Sequence, residues 1–320
     1  MRVATPSQRD EYLATLRARS DRADLRGWWA KMSHLRVLVL GDAIRDEYHY
    51  CNTLGKAGKD PILAAQFVRA EQFEGGVQAV AAHVRACTDH VECWASSPPT
   101  VKRRFIESYP FQKLFEVYEM DEAQAARRGD ALAQTVVPHL AQADVVIVAD
   151  YGHGLLTPAL VRVVSEAAPY LAVNVQANAG NHGFNTISKY ARADLLSLSE
   201  RELRLDARDQ TSDVQTLALK ASTLRKATVL VTRGAQGCLV VSPEGCASAP
   251  AFTDHLVDHL GAGDAVFGVA ACCRAVGMPL DLLAFVASAV GAQAVGILGN
   301  SRYIEREPLL VYLEELLRDA

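Results

Sequence analysis

A three-layered α/β protein, with a mostly parallel central sheet and a small β lid, is the fold class that this sequence predicts. Three observations predict it. Continuous apolar runs rich in β-branched residues, such as LRVLVL at 35–40, DVVIVA at 144–149 and TVLVT at 228–232, have the texture of strands buried on both faces. These runs alternate with segments of helical period, the order required by a parallel sheet covered on both sides. The chain has 320 residues, 50% of them hydrophobic, enough to bury one large core, and no internal repeat or low-complexity linker divides it.

Taken in order, residues 1–34 read as a helical N-terminal extension, with Leu13, Leu16, Leu25, Trp28 and Trp29 as its apolar points. They can pack on the body or meet an upstream partner. The body is then 35–320. Its first strand, Leu35 to Leu40, ends in Gly41-Asp42. Residues 46–73 alternate and carry aromatic and β-branched side chains (Tyr48, Tyr50, Ile62, Phe67, Val68, Phe73), which predicts antiparallel lid strands outside the main sheet. Gly75-Gly76 opens a helix to about Ala86, and a short strand follows at Val91 to Trp94. Residues 100–119 predict two more lid strands around Tyr109-Pro110. Strands are then expected at 144–149, 171–175, 194–198, 228–232 and 237–241, and helices at 158–168, 214–224, 263–276, 282–295 and 308–317.

Composition removes several function classes. A net charge of −4 supplies no general attraction for nucleic acid or an anionic membrane, so an anionic ligand must be held by local groups. Seven cysteines, an odd number without CxxC spacing, predict neither a disulfide framework nor structural zinc. The first residues are charged and lack the apolar core of a secretory signal. No apolar run reaches about 18 residues, the length of a membrane span. The expected location is the cytoplasm.

The strongest chemical signal is Asp258-His259-Leu260-Gly261-Ala262-Gly263-Asp264, a glycine turn directly ahead of an apolar helix. Free N–H groups at a helix start form an anion site, and glycines let a phosphate approach the backbone. Asp264 then stands where a carboxylate can take a proton from an attacking hydroxyl, against the plainer reading of a helix-capping turn. Four more polar clusters follow strands or flank the lid: Asp42 with Asp46, Gly75-Gly76, Asp150-Tyr151-Gly152-His153-Gly154, and Thr232-Arg233-Gly234. Ligands bind beyond the carboxyl ends of strands in open α/β sheets. Lys102-Arg103-Arg104 offers a cation to a substrate phosphate, although a solvated strand face is the default for such a run. Gly55-Lys56-Ala57-Gly58-Lys59 lacks the spacing of a phosphate loop, and His255 with His259 lies in a loop rather than at zinc spacing.

In their order, GDAIRD (41–46), EGG (74–76), ADYGHG (149–154), VTRG (231–234) and VDHLGAGDA (257–265) resemble the ribokinase-like, or PfkB, carbohydrate kinases, and within them the heptose-7-phosphate kinase domain type. The resemblance runs from about residue 35 to the end. It implies a ribokinase-like three-layer sandwich that moves a phosphoryl group from ATP, with Mg²⁺, to a hydroxyl of a sugar or sugar phosphate. By it, Asp264 is the general base and Gly261, Ala262 and Gly263 form the anion hole. Asp42, Asp46, Gly75 and Gly76 face the sugar. Arg233, Gly234 and Asp258 lie toward the nucleotide, as do Ser288 and Gly299 within the adenine-flanking stretch 287–299. Glu202 is the Mg²⁺-associated glutamate. YHYCNTLGKAGKDPILAAQF and NVQANAGNHGFNTISKY resemble a subgroup whose kinase domain often follows a nucleotidyltransferase domain, which implies that activity in a separate partner. Ser199, Ala79, His153 and Asn174-Val175-Gln176 depart from the family pattern, and about one βα unit is missing between Trp94 and Thr100. An exposed lid also leaves sheet edges and apolar faces open, which predicts a homodimer through it. Two other readings stand beside this one: a catalytically degenerate nucleotide- or sugar-binding regulator or scaffold, and a kinase for a nucleoside or specialised metabolite.

Overall fold

The computed structural model describes residues 5–18 and 22–318. Two helices lead in, α1 (Pro6–Arg17) and α2 (Arg22–Met32). They are followed by β1 (Val37–Gly41), β2 (Ala43–Lys56), β3 (Leu63–Gly76), α3 (Val77–Val84), β4 (Val91–Ala95), β5 (Thr100–Glu107) and β6 (Gln112–Glu119). Next come α4 (Glu122–Thr135), α5 (Val137–Gln142), β7 (Val145–Asp150), α6 (Pro158–Ala167), β8 (Leu171–Val175), β9 (Leu195–Ser199), α7 (Glu200–Ala207) and α8 (Val214–Arg225). The chain closes with β10 (Thr228–Thr232), β11 (Cys238–Ser242), β12 (Gly245–Ala249), α9 (Ala262–Ala275), α10 (Leu280–Ala294) and α11 (Arg306–Leu316).

Eight strands form the central sheet in the order β12-β11-β10-β9-β8-β7-β1-β4. The six from β10 to β4 are parallel, while β11 and β12 turn back antiparallel. The inner strands β1, β7 and β10 are mostly apolar because they are buried on both faces, with polar residues such as Asp150 and Thr232 at their carboxyl ends. One core layer joins the sheet to α3, α9, α10 and α11, and also takes in Leu13 and Leu16 of α1 and Leu25, Trp29 and Met32 of α2. The other joins it to α4 through α8. The seven cysteines are free.

The lid is a separate four-stranded sheet in the order β3-β2-β5-β6. Its strands alternate strictly enough to give it two characters. Asp46, Tyr48, Lys102, Arg104, Glu116 and Tyr118 share one face, whereas Glu47, His49, Arg103, Phe105 and Phe115 share the other. The short passage after β4 leaves that strand at the edge of the central sheet and leads directly into β5 of the lid. Four elements lie beyond the sequence expectations: α4, α5, α7 and β12. In α4 the buried positions are only Ala125, Gly129 and Leu132, too sparse and small an apolar stripe to stand out from a polar loop. The Asp121 side chain caps it, accepting from the Gln124 N–H at 2.8 Å.

Candidate active site

The floor of the site is built where β1 and β7 end side by side. Gly41 must be glycine, since a Cβ there would lie 2.1 Å from the Ala149 carbonyl oxygen. The next residue, Asp42, is fully buried. Its carboxylate accepts main-chain N–H groups from Tyr151 (3.0 Å), His153 (3.2 Å) and Leu155 (3.2 Å). Burial, followed by the charge of Asp150, pushes Asp42 up to about 6 despite those three donors. Asp42, expected to face the sugar, spends its carboxylate on the loop after β7 and is not among the residues that line the cleft under the lid.

That loop presents Tyr151. The Tyr151 carbonyl accepts from the side-chain amides of Asn178 (2.7 Å) and Asn181 (3.1 Å). Its hydroxyl donates to Asp264 Oδ1 at 2.6 Å. Asp264 lies in the first turn of α9, whose N-cap, Gly261, has φ of +79° and carries no side-chain cap. A Cβ on Gly261 would meet Asn300 Oδ1 at 2.1 Å, so the turn is closed to any other residue. Gly263 is exposed, with open space where a Cβ would stand. The uncapped first turn of a 14-residue helix thus points N–H groups and the positive end of its dipole at a cleft. Asp264 itself is pushed up to about 7, first by burial and then by the charges of Asp46 and Glu202, while Tyr151 and Lys102 pull the other way.

The lid supplies the opposite wall. Asp46 pairs with Arg104, both buried. A Cβ on Gly75 would strike Asp46 Oδ2 at 2.3 Å, so Gly75 makes room for that carboxylate, and Gly76 turns with φ of +61° to start α3. Lys102 is buried and held below the usual lysine range by that burial. Its ammonium lies 5.1 Å from the Tyr118 ring centre.

Asp258 works as a clasp. It accepts from Tyr48 Oη (2.5 Å) and Lys113 Nζ (2.6 Å) on the lid, and from the N–H groups of Leu260 (3.2 Å) and Gly299 (3.1 Å) on the body. Burial opposes ionisation, but Lys113 and Tyr48 prevail and hold its carboxyl below the usual range. Asp258, expected to lie toward the nucleotide, instead ties lid to body and is absent from the lining of the larger cleft, the one that holds Glu202 and Ser288. Gly299 packs against the Phe73 ring, again away from that cleft. Arg233 pairs with Glu200 at 3.2 Å, while its neighbours Thr232 and Gly234 line the cleft. Ser288 lines it too, and its hydroxyl donates to the Pro250 carbonyl at 2.5 Å.

Two clefts meet at Asp264. The larger, about 570 Å³, lies between the strand ends β9–β10 and helices α9 and α10, and includes Glu202, Gly234 and Ser288. The smaller, about 490 Å³, lies under the lid and includes Asp46, Gly76, Lys102 and Tyr118. Gly263 and Asp264 belong to both. Glu202 forms a capping box with Ser199, accepting from the Ser199 N–H (2.7 Å) and hydroxyl (2.8 Å), and it also accepts from the Ala177 N–H (3.1 Å). Ser199, a departure from the family pattern, is therefore the helix cap that positions Glu202. Among the described residues no group of three or more His, Cys, Asp and Glu side chains is arranged to hold a metal ion.

Residues 112–304, more than half of the chain, match the pfkB family carbohydrate kinase pattern. The chain belongs to the PfkB family of carbohydrate kinases. Among curated relatives, it is 28% identical over 302 residues to the bifunctional protein HldE of Rhodopseudomonas palustris, covering 83% of this chain and 61% of that protein. It spans about three fifths of the length of such bifunctional relatives. It is 28% identical over 304 residues to the D-beta-D-heptose 7-phosphate kinase of Bordetella bronchiseptica, covering 85% of this chain and 94% of that one. Among solved structures it resembles a ribokinase from Thermotoga maritima, with a TM-score of 0.69 at 17% identity, over 88% of this chain and 99% of the other. The fold is ribokinase-like, as the motif order implies. No helix among the described residues is long and apolar enough to cross a membrane.

Sequence reasoning missed two residues that the geometry brings forward. Tyr151 stood inside a recognised motif, and its hydroxyl was legible as a polar group beside the strand end. Lys113 carried no signal at all, because its partner Asp258 lies 145 residues away.

Proposed function

We propose that this kinase moves the γ-phosphoryl group of ATP to a hydroxyl of a sugar or sugar phosphate, a heptose phosphate being the acceptor favoured by its relatives. One observation carries the proposal: the two clefts share Asp264 and Gly263, so a group in the larger cleft and a group under the lid meet over one carboxylate and one helix start. The larger cleft suits the nucleotide, with Gly234 and Ser288 on its wall. The lid cleft suits the acceptor, with Asp46 to bind hydroxyls and Lys102 to meet an anionic group. Asp264 accepts the proton of the attacking hydroxyl, and the N–H groups of Ala262 and Gly263 take up charge on the transferred phosphoryl. A carboxyl near 7 suits a base that must be ionised at work yet ready to hold a proton.

Magnesium fits this arrangement as an ion carried mainly by phosphate oxygens and water. Glu202 on the cleft wall is the residue that would attract it, its carboxylate fixed there by hydrogen bonds from Ser199 and Ala177. Bound there, Mg²⁺ would neutralise phosphate charge. We further propose a cytoplasmic location, residues 35–320 as the catalytic unit, a homodimer paired through the lid, and a nucleotidyltransferase on a separate chain as metabolic partner.

The test is ADP release from ATP and Mg²⁺ over a panel of sugars, sugar phosphates including heptose phosphates, and nucleosides. Turnover with one acceptor class that vanishes in Asp264→Asn supports the proposal and names the acceptor. ATP binding without turnover on any acceptor would overturn it in favour of a regulatory role. Turnover on nucleosides alone would move the acceptor class.

A further inference from the structure

The wall of the larger cleft at residues 251–256 has no regular secondary structure. Ala251, Thr253, Asp254, His255 and Leu256 line the cleft. Among the described residues, no main-chain hydrogen bond ties 251–256 to another element; the His255 N–H bonds only to the nearby Thr253 hydroxyl. Between its ends, which Ser288 holds at the Pro250 carbonyl and the Val295 carbonyl holds at the Val257 N–H, side chains secure this wall, and α1 supplies two of them. Arg9 forms a two-pronged ion pair with Asp254, at 3.1 Å and 2.5 Å, with the Arg9 side chain only 14% exposed. One turn on, the Tyr12 ring lies 6.0 Å from Phe252, which in turn meets Phe285 of α10 edge-on at 5.6 Å. Leu13 and Leu16 seat the same helix in the main core, and Arg17 donates to the Leu316 carbonyl at 3.2 Å. A helix anchored in the body thus grips the outer side of a loop whose inner side faces the nucleotide cleft.

We propose that α1 is part of the nucleotide site at one remove: Arg9 and Tyr12 are positioning residues that hold the 251–256 wall in its ligand-ready shape. The proposal rests on the reading of the larger cleft as the nucleotide site. A loop that is ligand-ready for only a fraction of the time lowers apparent affinity by that fraction. Loosening the wall should therefore weaken nucleotide binding and leave the acceptor side and the chemical step alone. Thermodynamic linkage adds a converse demand: bound nucleotide must tighten the docking of α1 by the same factor.

The experiment is calorimetric titration of the full chain with ADP and Mg²⁺, paired with hydrogen exchange over residues 6–17. In Arg9→Glu, which sets a like charge beside Asp254, Kd for ADP should rise about three- to tenfold, with Arg9→Lys recovering most of the loss. Tyr12→Ala should weaken binding similarly. Tyr12→Phe should not, because the Tyr12 hydroxyl makes no hydrogen bond among the described residues and the ring is retained. KM for ATP should rise with Kd, while kcat and the acceptor KM stay level, a split that a general loss of stability would not give. In the unaltered protein, ADP should slow exchange in α1. Failure of the unaltered protein to bind ADP would overturn the nucleotide reading and this inference with it. If the unaltered protein binds, and Arg9→Glu and Tyr12→Ala bind equally well, the inference alone falls. Should those variants fail to fold, unchanged exchange in α1 on adding ADP to the unaltered protein decides against it.

Discussion

At the scale of single residues, the proposed mechanism turns on Asp264 and the Tyr151 hydroxyl that donates to it. Asp264→Asn removes the base and keeps the shape, so kcat should fall about 10²–10⁴-fold with ADP affinity retained. Activity comparable to the unaltered enzyme would remove Asp264 from the reaction. The base must be ionised, so kcat/KM should decline as pH drops through about 7. Tyr151 favours the ionised form by donating to it, and Tyr151→Phe should move that acid limb to higher pH. An acid limb that does not move would mean the hydrogen bond is broken in the working complex. Stability should run against activity. The pKa values of Asp264 and Asp42 lie above those of free carboxyls, so the folded state binds protons that the unfolded state has already lost. The stability these groups contribute is present below about pH 4 and is lost as pH rises through about 6 to 7. Asp264→Asn should consequently melt about 2–4 °C higher than the parent near pH 8, with the gain shrinking toward pH 4.

At the scale of elements, the lid is held by one charged clasp. Lys113 of β6 and Tyr48 of β2 converge on Asp258, which also accepts from two N–H groups of the body. Lys113→Ala should let the lid move outward, raising the acceptor KM about three- to tenfold with little change in nucleotide affinity. An unchanged acceptor KM would show that Tyr48 alone suffices. This clasp also marks the limit of what the sequence discloses. Strands β1, β7 and β10 were legible because burial on both faces demands mostly apolar runs, and Gly261 through Asp264 because a glycine turn at a helix start, followed by a carboxylate, is a readable local pattern. Asp46, Gly76 and Lys102 were legible as polar or small residues at lid positions, and the structure gathers them in one cleft. Asp42, Asp258 and Arg233 were recognised by motif, yet motif does not say which way a side chain turns. Asp42 and Asp258 turn into the scaffold to satisfy main-chain and lid donors. Long-range partnerships such as Lys113 with Asp258, or Arg9 with Asp254, leave no local trace, because nothing near either residue in the chain records the other.

At the scale of the whole molecule, the two faces of the lid cannot both serve the active site. The face bearing Asp46, Lys102 and Tyr118 lines the cleft proposed for the acceptor. The other carries Phe105 stacked on Phe115 at 4.6 Å and His49 packed on both Phe105 and Phe67. Phe67 and Phe115 remain 57% and 54% exposed, with Val117 at 41% beside them. A cluster of aromatic side chains on a sheet face is costly to leave in water, and a second copy of the same face is a self-complementary cover for it. The chain, of 34.7 kDa, should therefore sediment at twice that mass at micromolar concentration. Phe67→Glu with Phe115→Glu should return it to a single chain, because two like charges would be buried without partners. The same variant should lose acceptor affinity more than nucleotide affinity, since the strands that carry the aromatic face also carry Lys102 and Tyr118 on their reverse side. An unaltered protein that sediments as a single chain across that range would reject the paired lid and leave the aromatic face to some other cover. A dimer that survives both substitutions would place the contact elsewhere on the surface.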